Sequence, residues 1–514
     1  MPASRSTGGA RSRNPFEALV RQRLADEVGA IRKQAPFTVA LAYPSPSGAG
    51  MSSLGFQRIY RAIQEAPGLA CERAFLDDEA EKTLSAQSRP RTYESLRPID
   101  ELAVVAFSVA YEIEIGGVVA MLDAARIPLF REERGDEDPF LLFGGPLTFS
   151  NPLPLAPFAD AIIVGEAEEL VIDVLRVLEN TKKRVDRLAA LAKIPHVFVP
   201  EHHGEVLPIV AKAPDEMIPA WAPIRTPHAV LRDMFLVETE RGCSRMCTYC
   251  VMRRSTNGGM RLAPMETILG LVPPDAKRVG LVGAAVSDHP KIVSIVNSLA
   301  ESGREVGLSS LRPDRLSDEF VAALKRAGTK TLTTAMDGPS ERLRASLERK
   351  AKEKHLVRCA ERARATGMER LKLYLMVGLP TETDDDIDEC VRFATELSKI
   401  VPVSLGIAPF CAKRNTPLDG HAFAGIDVVD ARLDRLRRGL KGRADVRSTS
   451  AKWAWVEYVL AQGGAAEGRA AAVAARAGGG FAAYKRAFTE LERDAIRQGA
   501  GGTKPKRSLA IAPV

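Results

Sequence analysis

The chain has 514 residues and a net charge of +7, with 45% hydrophobic and 27% charged residues. This length is enough for two to four domains, and the composition is that of an ordinary globular protein. Because the net charge is small and the arginines are spread along the chain, no nucleic-acid partner is expected. Charged residues interrupt each apolar run before it reaches membrane-spanning length, so no membrane partner is expected either.

Residues 1–35 are predicted to form a basic tail and a short helix. The first 14 residues are polar and rich in arginine, and they contain no apolar stretch of the kind found in secretory signals. Four of the seven cysteines are scattered outside a single motif, which is typical of a reducing compartment. We therefore expect a cytoplasmic protein.

Residues 36–180 alternate short apolar segments with helical patterns. This alternation predicts an α/β domain with a doubly wound, Rossmann-like parallel sheet. The predicted strands are 37–43, 70–76, 103–108, 140–143 and 161–164. Ligands of such sheets bind at the carboxyl ends of the strands, where small residues let a large group approach the backbone. The small residues at these ends are Ser45, Gly48, Ser108, Gly144, Gly145 and Gly165.

Residues 181–232 are rich in proline and are interpreted as a connector. Two apolar segments flank His202 and His203, which predicts a small hairpin. A solvated turn is favoured over a metal site for this histidine pair, because no further ligand is near in sequence.

A cysteine motif follows the apolar segment that starts at Met234. Cys243, Cys247 and Cys250 form a C-x₃-C-x₂-C run, which is more typical of a metal centre than of a disulfide framework. Structural zinc normally needs a fourth ligand, and the next His and Cys are His289 and Cys359. A [4Fe–4S] cluster with one open iron is favoured, and a zinc site completed by a distant residue, or a set of reduced core thiols, stays as the alternative.

The motif, with the aromatic Tyr249 before its last cysteine, resembles that of the radical S-adenosylmethionine (SAM) superfamily. Strands predicted at 278–282, 305–309, 331–335, 371–377 and 403–408 resume the alternation, so residues 233–412 suit the partial (β/α)₆ TIM-type barrel of that family. The resemblance implies a cluster on the three cysteines, SAM on the open iron, and cleavage of SAM to a 5′-deoxyadenosyl radical. An electron donor such as flavodoxin or ferredoxin and a small-molecule substrate are expected as partners.

The resemblance also implies where SAM binds. In the superfamily the contacts come from the aromatic residue of the cysteine motif and from the ends of the barrel strands. At the end of the second strand the usual Gly-Gly-Glu is replaced by Gly-Ala-Ala, so only a backbone role carries over. The corresponding residues here are Tyr249, Gly283, Ala284, Ser310, Arg312, Asp337, Gly378 and Glu382. The sequence assigns no catalytic residue.

The N-terminal sheet followed by this barrel resembles radical SAM enzymes with a cobalamin-binding domain. No histidine precedes His196, so the motif that supplies an axial histidine is absent, and the domain either binds cobalamin without it or has lost cobalamin. The predicted function is cobalamin-dependent methylation of an unactivated carbon. Radical cyclisation, rearrangement or oxidation without cobalamin is one alternative, and a non-catalytic iron–sulfur or corrinoid sensor is another. Residues 413–499 are predicted to form a helical C-terminal region and 500–514 a disordered tail.

Overall fold

The computed structural model describes residues 15–78, 89–252, 259–308 and 311–497. Its N-terminal sheet has the strand order β2-β1-β3-β4-β5-β6, and all neighbouring strands are parallel except the last pair. The strands are β1 (Phe37–Tyr43), β2 (Leu69–Phe75), β3 (Val104–Ser108), β4 (Phe140–Gly144), β5 (Ala161–Ile163) and β6 (Val197–Phe198). The five strands predicted in this region are confirmed within two residues at each end.

Alternate residues of β1 face opposite sides of the sheet, and both sides are covered. Ala40 and Ala42 lie in one core with the helix Ile115–Ala125, whereas Val39 and Leu41 lie in the other. The helix Leu54–Glu65 covers that second side, and the Ser53 side chain caps it by accepting a hydrogen bond from the Phe56 amide. The doubly wound architecture is confirmed.

The prediction of a hairpin around His202 and His203 was wrong. Val197 and Phe198 pair instead with Ile163 and Ile162 as an antiparallel edge strand of the N-terminal sheet, and both are fully buried. The histidines belong to a single helical turn, Pro200–His203. The sheet therefore extends past the predicted domain boundary at residue 180, because these apolar residues gain more from covering its edge than from a separate hairpin.

The second half of the chain forms a parallel barrel with the strands in chain order. Three strands form one ladder and four form another, and both share one core. The strands are β7 (Met234–Glu238), β10 (Arg278–Val282), β11 (Glu305–Leu308), β12 (Thr331–Asp337), β13 (Arg370–Val377), β14 (Val403–Pro409) and β15 (Ala444–Ser448). A short antiparallel pair, β8 (Glu240–Gly242) and β9 (Met260–Leu262), follows β7. The strand β15 adds to the six predicted strands and carries the barrel past residue 412.

Amphipathic helices cover the outside of the barrel. In Asp384–Ser398, Thr383 and Asp386 form a capping box, and Cys390 is fully buried as its helical spacing predicts. The barrel helices are Met265–Leu271, Ile292–Glu301, Asp318–Arg326, Glu341–Ser346, Glu353–Ala365, Asp384–Ser398 and Ile426–Gly439. The other α-helices are Pro15–Ala25, Ser47–Gly50, Leu170–Asn180, Arg184–Leu191, Ala451–Gln462, Ala465–Arg476 and Phe481–Arg497.

The C-terminal helices return to the N-terminal sheet. Ala471, Tyr484 and Phe488 lie in the same core as the helix Ile115–Ala125. The helix Ala465–Arg476 approaches so closely that a side chain at Gly468 would lie 2.1 Å from the Pro154 carbonyl oxygen. The C-terminal region thus covers one face of the N-terminal domain. Within the described ranges, no helix is long and apolar enough to span a membrane.

Candidate iron–sulfur and cofactor site

The cysteine loop begins where β8 ends, at the mouth of the barrel. Cys247 is buried, and Cys243 and Cys250 are half-buried. The Cys250 amide donates a hydrogen bond to the Cys247 carbonyl at 3.3 Å, and the Thr248 amide donates to the carbonyl of Leu347 at 3.2 Å. The loop is therefore held both by itself and by the segment after β12.

The three thiols lie close enough to influence one another. Burial, with smaller contributions from the neighbouring Cys247 and Cys243, raises the pKa of Cys250 to about 11. Burial also raises the pKa of Cys243, with a smaller contribution from Cys247. Among the described residues, no three His, Cys, Asp or Glu side chains converge on a point that would hold a single metal ion. A donor set of three thiols without a fourth ligand suits a four-iron cluster with an open iron better than tetrahedral zinc.

A half-buried ionic network lies beside Cys247. An Nη atom of Arg349 is 4.0 Å from the Cys247 Sγ, and Arg349 forms an ion pair with Asp337. Asp337 has a left-handed backbone (φ +65°) at an irregularity between β12 and β13, and Tyr249 donates a hydrogen bond to it. Asp337 and Tyr249 therefore position a cation against the cysteine loop.

A second network lies on the other side of the loop. The Arg245 guanidinium donates to Asp288 at 2.9 Å, and Arg312 lies 3.4 Å from the same carboxylate. Arg312 is buried and also pairs with Asp314 at 2.8 Å. Arg312 therefore lies at the barrel mouth, and its guanidinium is paired with both Asp288 and Asp314. Ser310 lies outside the described residues.

The end of β13 forms a tight turn. Gly378 has φ +82°, and its amide donates to the Glu382 carboxylate at 2.8 Å. Arg432 lies 2.9 Å from the same carboxylate, which is fully buried. Glu382 therefore holds the turn that brings the Gly378 backbone to the barrel mouth.

The end of β10 lies against an acidic side chain. An ideal Cβ on Gly283 would lie 2.1 Å from Oε1 of Glu240, and the Ala285 amide donates to that oxygen at 2.7 Å. Ala284 is half-buried between them. The small residues at this strand end thus leave room for a carboxylate that comes from β8.

A cavity of about 630 Å³ lies at the carboxyl edge of the N-terminal sheet. Its polar wall includes Glu112, Lys413 and Glu457, in which Lys413 lies 2.7 Å from each carboxylate. Val251 and Met252, which directly follow Cys250, line the same cavity. The cavity and the cysteine loop therefore share a wall.

Four of the six small residues predicted at the strand ends line this cavity. They are Ser108, Gly144, Gly145 and Gly165. The nearest atom to an ideal Cβ on Gly144 would be the Ile163 carbonyl oxygen at 4.0 Å, so the glycine leaves open space. Ser45 and Gly48 do not line it, because Ser45 donates to Glu114 at 2.9 Å and Gly48 packs against Val230. No histidine of the described residues lines the cavity.

Two family models match this architecture. The model described as "Radical SAM proteins, N-terminal" matches residues 55–200, and the one described as "Radical SAM superfamily" matches residues 237–394. The chain belongs to the radical SAM superfamily. The second match begins in β7 and includes the cysteine motif of the radical SAM barrel.

Two similar sequences cover different shares of this chain. An uncharacterised protein of Methanocaldococcus jannaschii is 25% identical over 393 residues, which is 75% of this chain and 80% of that protein. The ribosomal protein uS12 methylthiotransferase RimO of an Anaeromyxobacter species is 28% identical over 39% of this chain and 45% of its own length.

Two solved structures share the fold of both domains. TsrM from Kitasatospora setae, a radical SAM methyltransferase solved with cobalamin and a [4Fe–4S] cluster, has a TM-score of 0.53 at 13% identity and covers 77% of this chain and 78% of its own. OxsB, a cobalamin-dependent radical SAM enzyme, has a TM-score of 0.50 at 14% identity and covers 79% of this chain and 56% of its own. At this identity the likeness shows the fold alone.

Sequence reasoning missed several residues of the radical SAM site. Glu240 lies three residues before Cys243, but its contact with Ala285 is tertiary, and Lys413 reaches the cavity only through tertiary contacts; no periodicity marks either residue. Arg58 lines the cavity, is 7% exposed, and donates only a weak hydrogen bond, to the Met217 sulfur at 3.2 Å. Arg58 lies on the helix Leu54–Glu65, and the direction of its side chain is not encoded in the helical pattern.

Proposed function

We propose that this radical SAM chain binds a [4Fe–4S] cluster through Cys243, Cys247 and Cys250, cleaves SAM reductively, and holds cobalamin in the cavity for methylation of a small molecule. The observation that carries the proposal is the wall shared by the cavity and the cysteine loop at Val251 and Met252. A group bound at the sheet edge and a group bound at the loop would therefore face one common space.

The residues of the chain fit both groups. Three thiols, with no fourth ligand among the described residues, suit a cluster with an open iron, and the open space beside Gly144 suits a large planar ligand at the sheet edge. When bound, the cluster would supply the electron that breaks the C5′–S bond of SAM into methionine and a 5′-deoxyadenosyl radical, and cobalamin would supply a methyl group. The likeness in fold to TsrM and OxsB supports the cobalamin assignment.

The protein itself would orient the ligands and exclude water. Arg349 lies beside Cys247, where its positive charge would stabilise the negative charge of a thiolate. Val251 and Met252 give the cavity an apolar wall where it adjoins the cysteine loop. That wall, with Lys413 between two carboxylates, would offer hydrogen-bond partners to the amides of cobalamin or to the substrate.

We also propose that the electron donor is an acidic carrier such as flavodoxin or ferredoxin. A pocket of about 250 Å³ opens beside Cys247, and its lining includes one carboxylate, Glu348, and four cationic residues, Arg245, Arg315, Arg349 and Lys350. Arg315 is 55% exposed at the side chain, and Lys350 is exposed. A basic rim next to the cysteine loop would attract a carrier of opposite charge.

The test is anaerobic expression with cobalamin supplied, followed by absorption spectra and product analysis. The proposal expects iron–sulfur absorption, retained cobalamin, and methyl transfer from SAM to a substrate. A protein that carries the cluster but never retains cobalamin would remove the methylation branch and leave radical rearrangement, cyclisation or oxidation. A protein that binds the cluster but never cleaves SAM would support a sensor instead.

A further inference from the structure

Arg58 is a buried guanidinium without an anionic partner in the wall of the cavity at the sheet edge. It is 7% exposed, and no carboxylate of the described residues forms an ion pair with it. Its Nε has no hydrogen-bond partner, and one Nη donates only to the Met217 sulfur at 3.2 Å. The two other described cations of this wall differ, because Lys413 lies 2.7 Å from each of two carboxylates and Arg241 lies 2.6 Å from Glu168. A buried charge that no opposite charge balances is costly, so Arg58 points to an anionic ligand.

The wall around Arg58 suits such a ligand. Arg58 lies on the helix Leu54–Glu65, and Leu54 and Gly55 in the first turn of this helix line the same cavity. The N-terminal end of a helix carries a partial positive charge, which favours a negatively charged group nearby. An ideal Cβ on Gly55 would meet no atom within 4 Å, so the space beside this turn is open. Each carboxylate that lines the cavity is paired with Lys413 or Arg241, which leaves Arg58 free for a ligand.

Cobalamin carries one group of the required charge. Its peripheral side chains are neutral amides, and the phosphodiester that joins its nucleotide tail to the corrin ring is its one anionic substituent. Resting on the proposed function, we infer that Arg58 binds this phosphodiester and holds the nucleotide tail beside the helix Leu54–Glu65. A guanidinium keeps its charge in proteins, and its planar fork of N–H donors matches the oxygens of a phosphate. Arg58 would therefore favour corrinoids that carry a phosphate.

The test measures the dissociation constants of cobalamin, cobinamide phosphate and cobinamide by equilibrium dialysis with the cluster-loaded protein. Cobinamide lacks the nucleotide tail and its phosphate, and cobinamide phosphate restores the phosphate alone. Arg58→Gln keeps a polar side chain and removes its charge. We expect this variant to bind cobalamin and cobinamide phosphate about 10- to 100-fold more weakly than the wild type, because hydrogen bonds between charged groups are lost. Its affinity for cobinamide should be unchanged.

Arg61→Gln is the matched control. Arg61 is another buried guanidinium of the same helix, but it stacks on Trp221 and does not line the cavity. Its replacement should leave the preference for cobinamide phosphate over cobinamide at the wild-type value. Loss of that preference in Arg61→Gln would overturn the inference, because it would trace the effect to the helix as a whole.

Equal weakening of all three corrinoids by Arg58→Gln would also overturn the inference, because it would show a purely structural role. So would unchanged binding of cobalamin and cobinamide phosphate, which would leave Arg58 to a carboxylate of the substrate. A wild-type protein that binds cobinamide phosphate no better than cobinamide has the same consequence, whatever the variants do. If Arg58→Gln does not fold, Arg58→Lys must keep more of the preference than Arg58→Met does. The proposed function fails separately, through a wild-type protein that binds none of the three corrinoids.

Discussion

Replacement of Glu240 by Gln should remove a decline in stability that the wild-type protein shows as the pH rises. Burial raises the pKa of Glu240 from 4.5 to about 7, although hydrogen bonds from Thr239 and Ala285 lower it. Between these values the folded protein holds a proton that the unfolded chain has lost, so the free energy of unfolding falls with rising pH. Once the pH exceeds the pKa of Glu240 in the folded protein, this shift lowers the free energy of unfolding by about 3 kcal/mol.

The assay is urea unfolding of the cluster-free protein from about pH 5 to about pH 8, for the wild type and for Glu240→Gln. The other titrating groups are common to both proteins, so they cancel in the difference. We expect the variant to gain stability relative to the wild type by about 2.5 kcal/mol between pH 5 and pH 8. Glu266→Gln, at an exposed position, should show no such trend. A difference between the wild type and Glu240→Gln that does not change with pH would refute the reasoning.

Two further substitutions test the cavity and the basic rim. Gly144→Leu should place a side chain in open space beside the sheet edge and lower cobalamin retention at least about tenfold while iron–sulfur absorption persists. Arg315→Glu with Lys350→Glu should lower the ratio of flavodoxin-driven to dithionite-driven SAM cleavage about tenfold at low salt, and added salt should narrow the effect.

Matched controls exist for both. Gly270→Leu adds the same side chain on an exposed helix, where an ideal Cβ meets no atom within 4 Å, and should leave cobalamin retention unchanged. Full retention of cobalamin by Gly144→Leu would place the ligand elsewhere.

Arg437→Glu reverses a charge that is 47% exposed and does not line the pocket beside Cys247. If Arg437→Glu changes the ratio of flavodoxin-driven to dithionite-driven SAM cleavage as much as the rim variants do, the basic rim is not the docking surface.

Much of the fold follows from local patterns. The strand around Val39 is an almost continuous apolar segment because it is buried on both faces of the sheet. The strand around Leu371 instead alternates buried residues with more exposed ones such as Lys372 and Tyr374. The spacing of Ile387, Cys390 and Leu397 marks the buried face of their helix. The cysteine motif could be found because its three ligands lie within one short loop.

Other features depend on contacts that no local pattern encodes. The strand Ala444–Ser448 is half exposed along its length and carries Asp445 and Arg447, so it lacks an apolar signal. The edge strand at Val197 is only two residues long. Glu240 reaches β10 through tertiary packing, and its sequence neighbours give no hint of this contact.

The most direct test of the central claim is the yield of 5′-deoxyadenosine from SAM under anaerobic conditions with a strong reductant. The account predicts that the reconstituted wild-type protein produces it, and that the variant with Cys243, Cys247 and Cys250 replaced by Ala produces none and lacks iron–sulfur absorption. Cys411→Ala, which removes a lone half-buried thiol, should keep both signals. Absence of 5′-deoxyadenosine from a wild-type protein that carries the cluster would contradict the account.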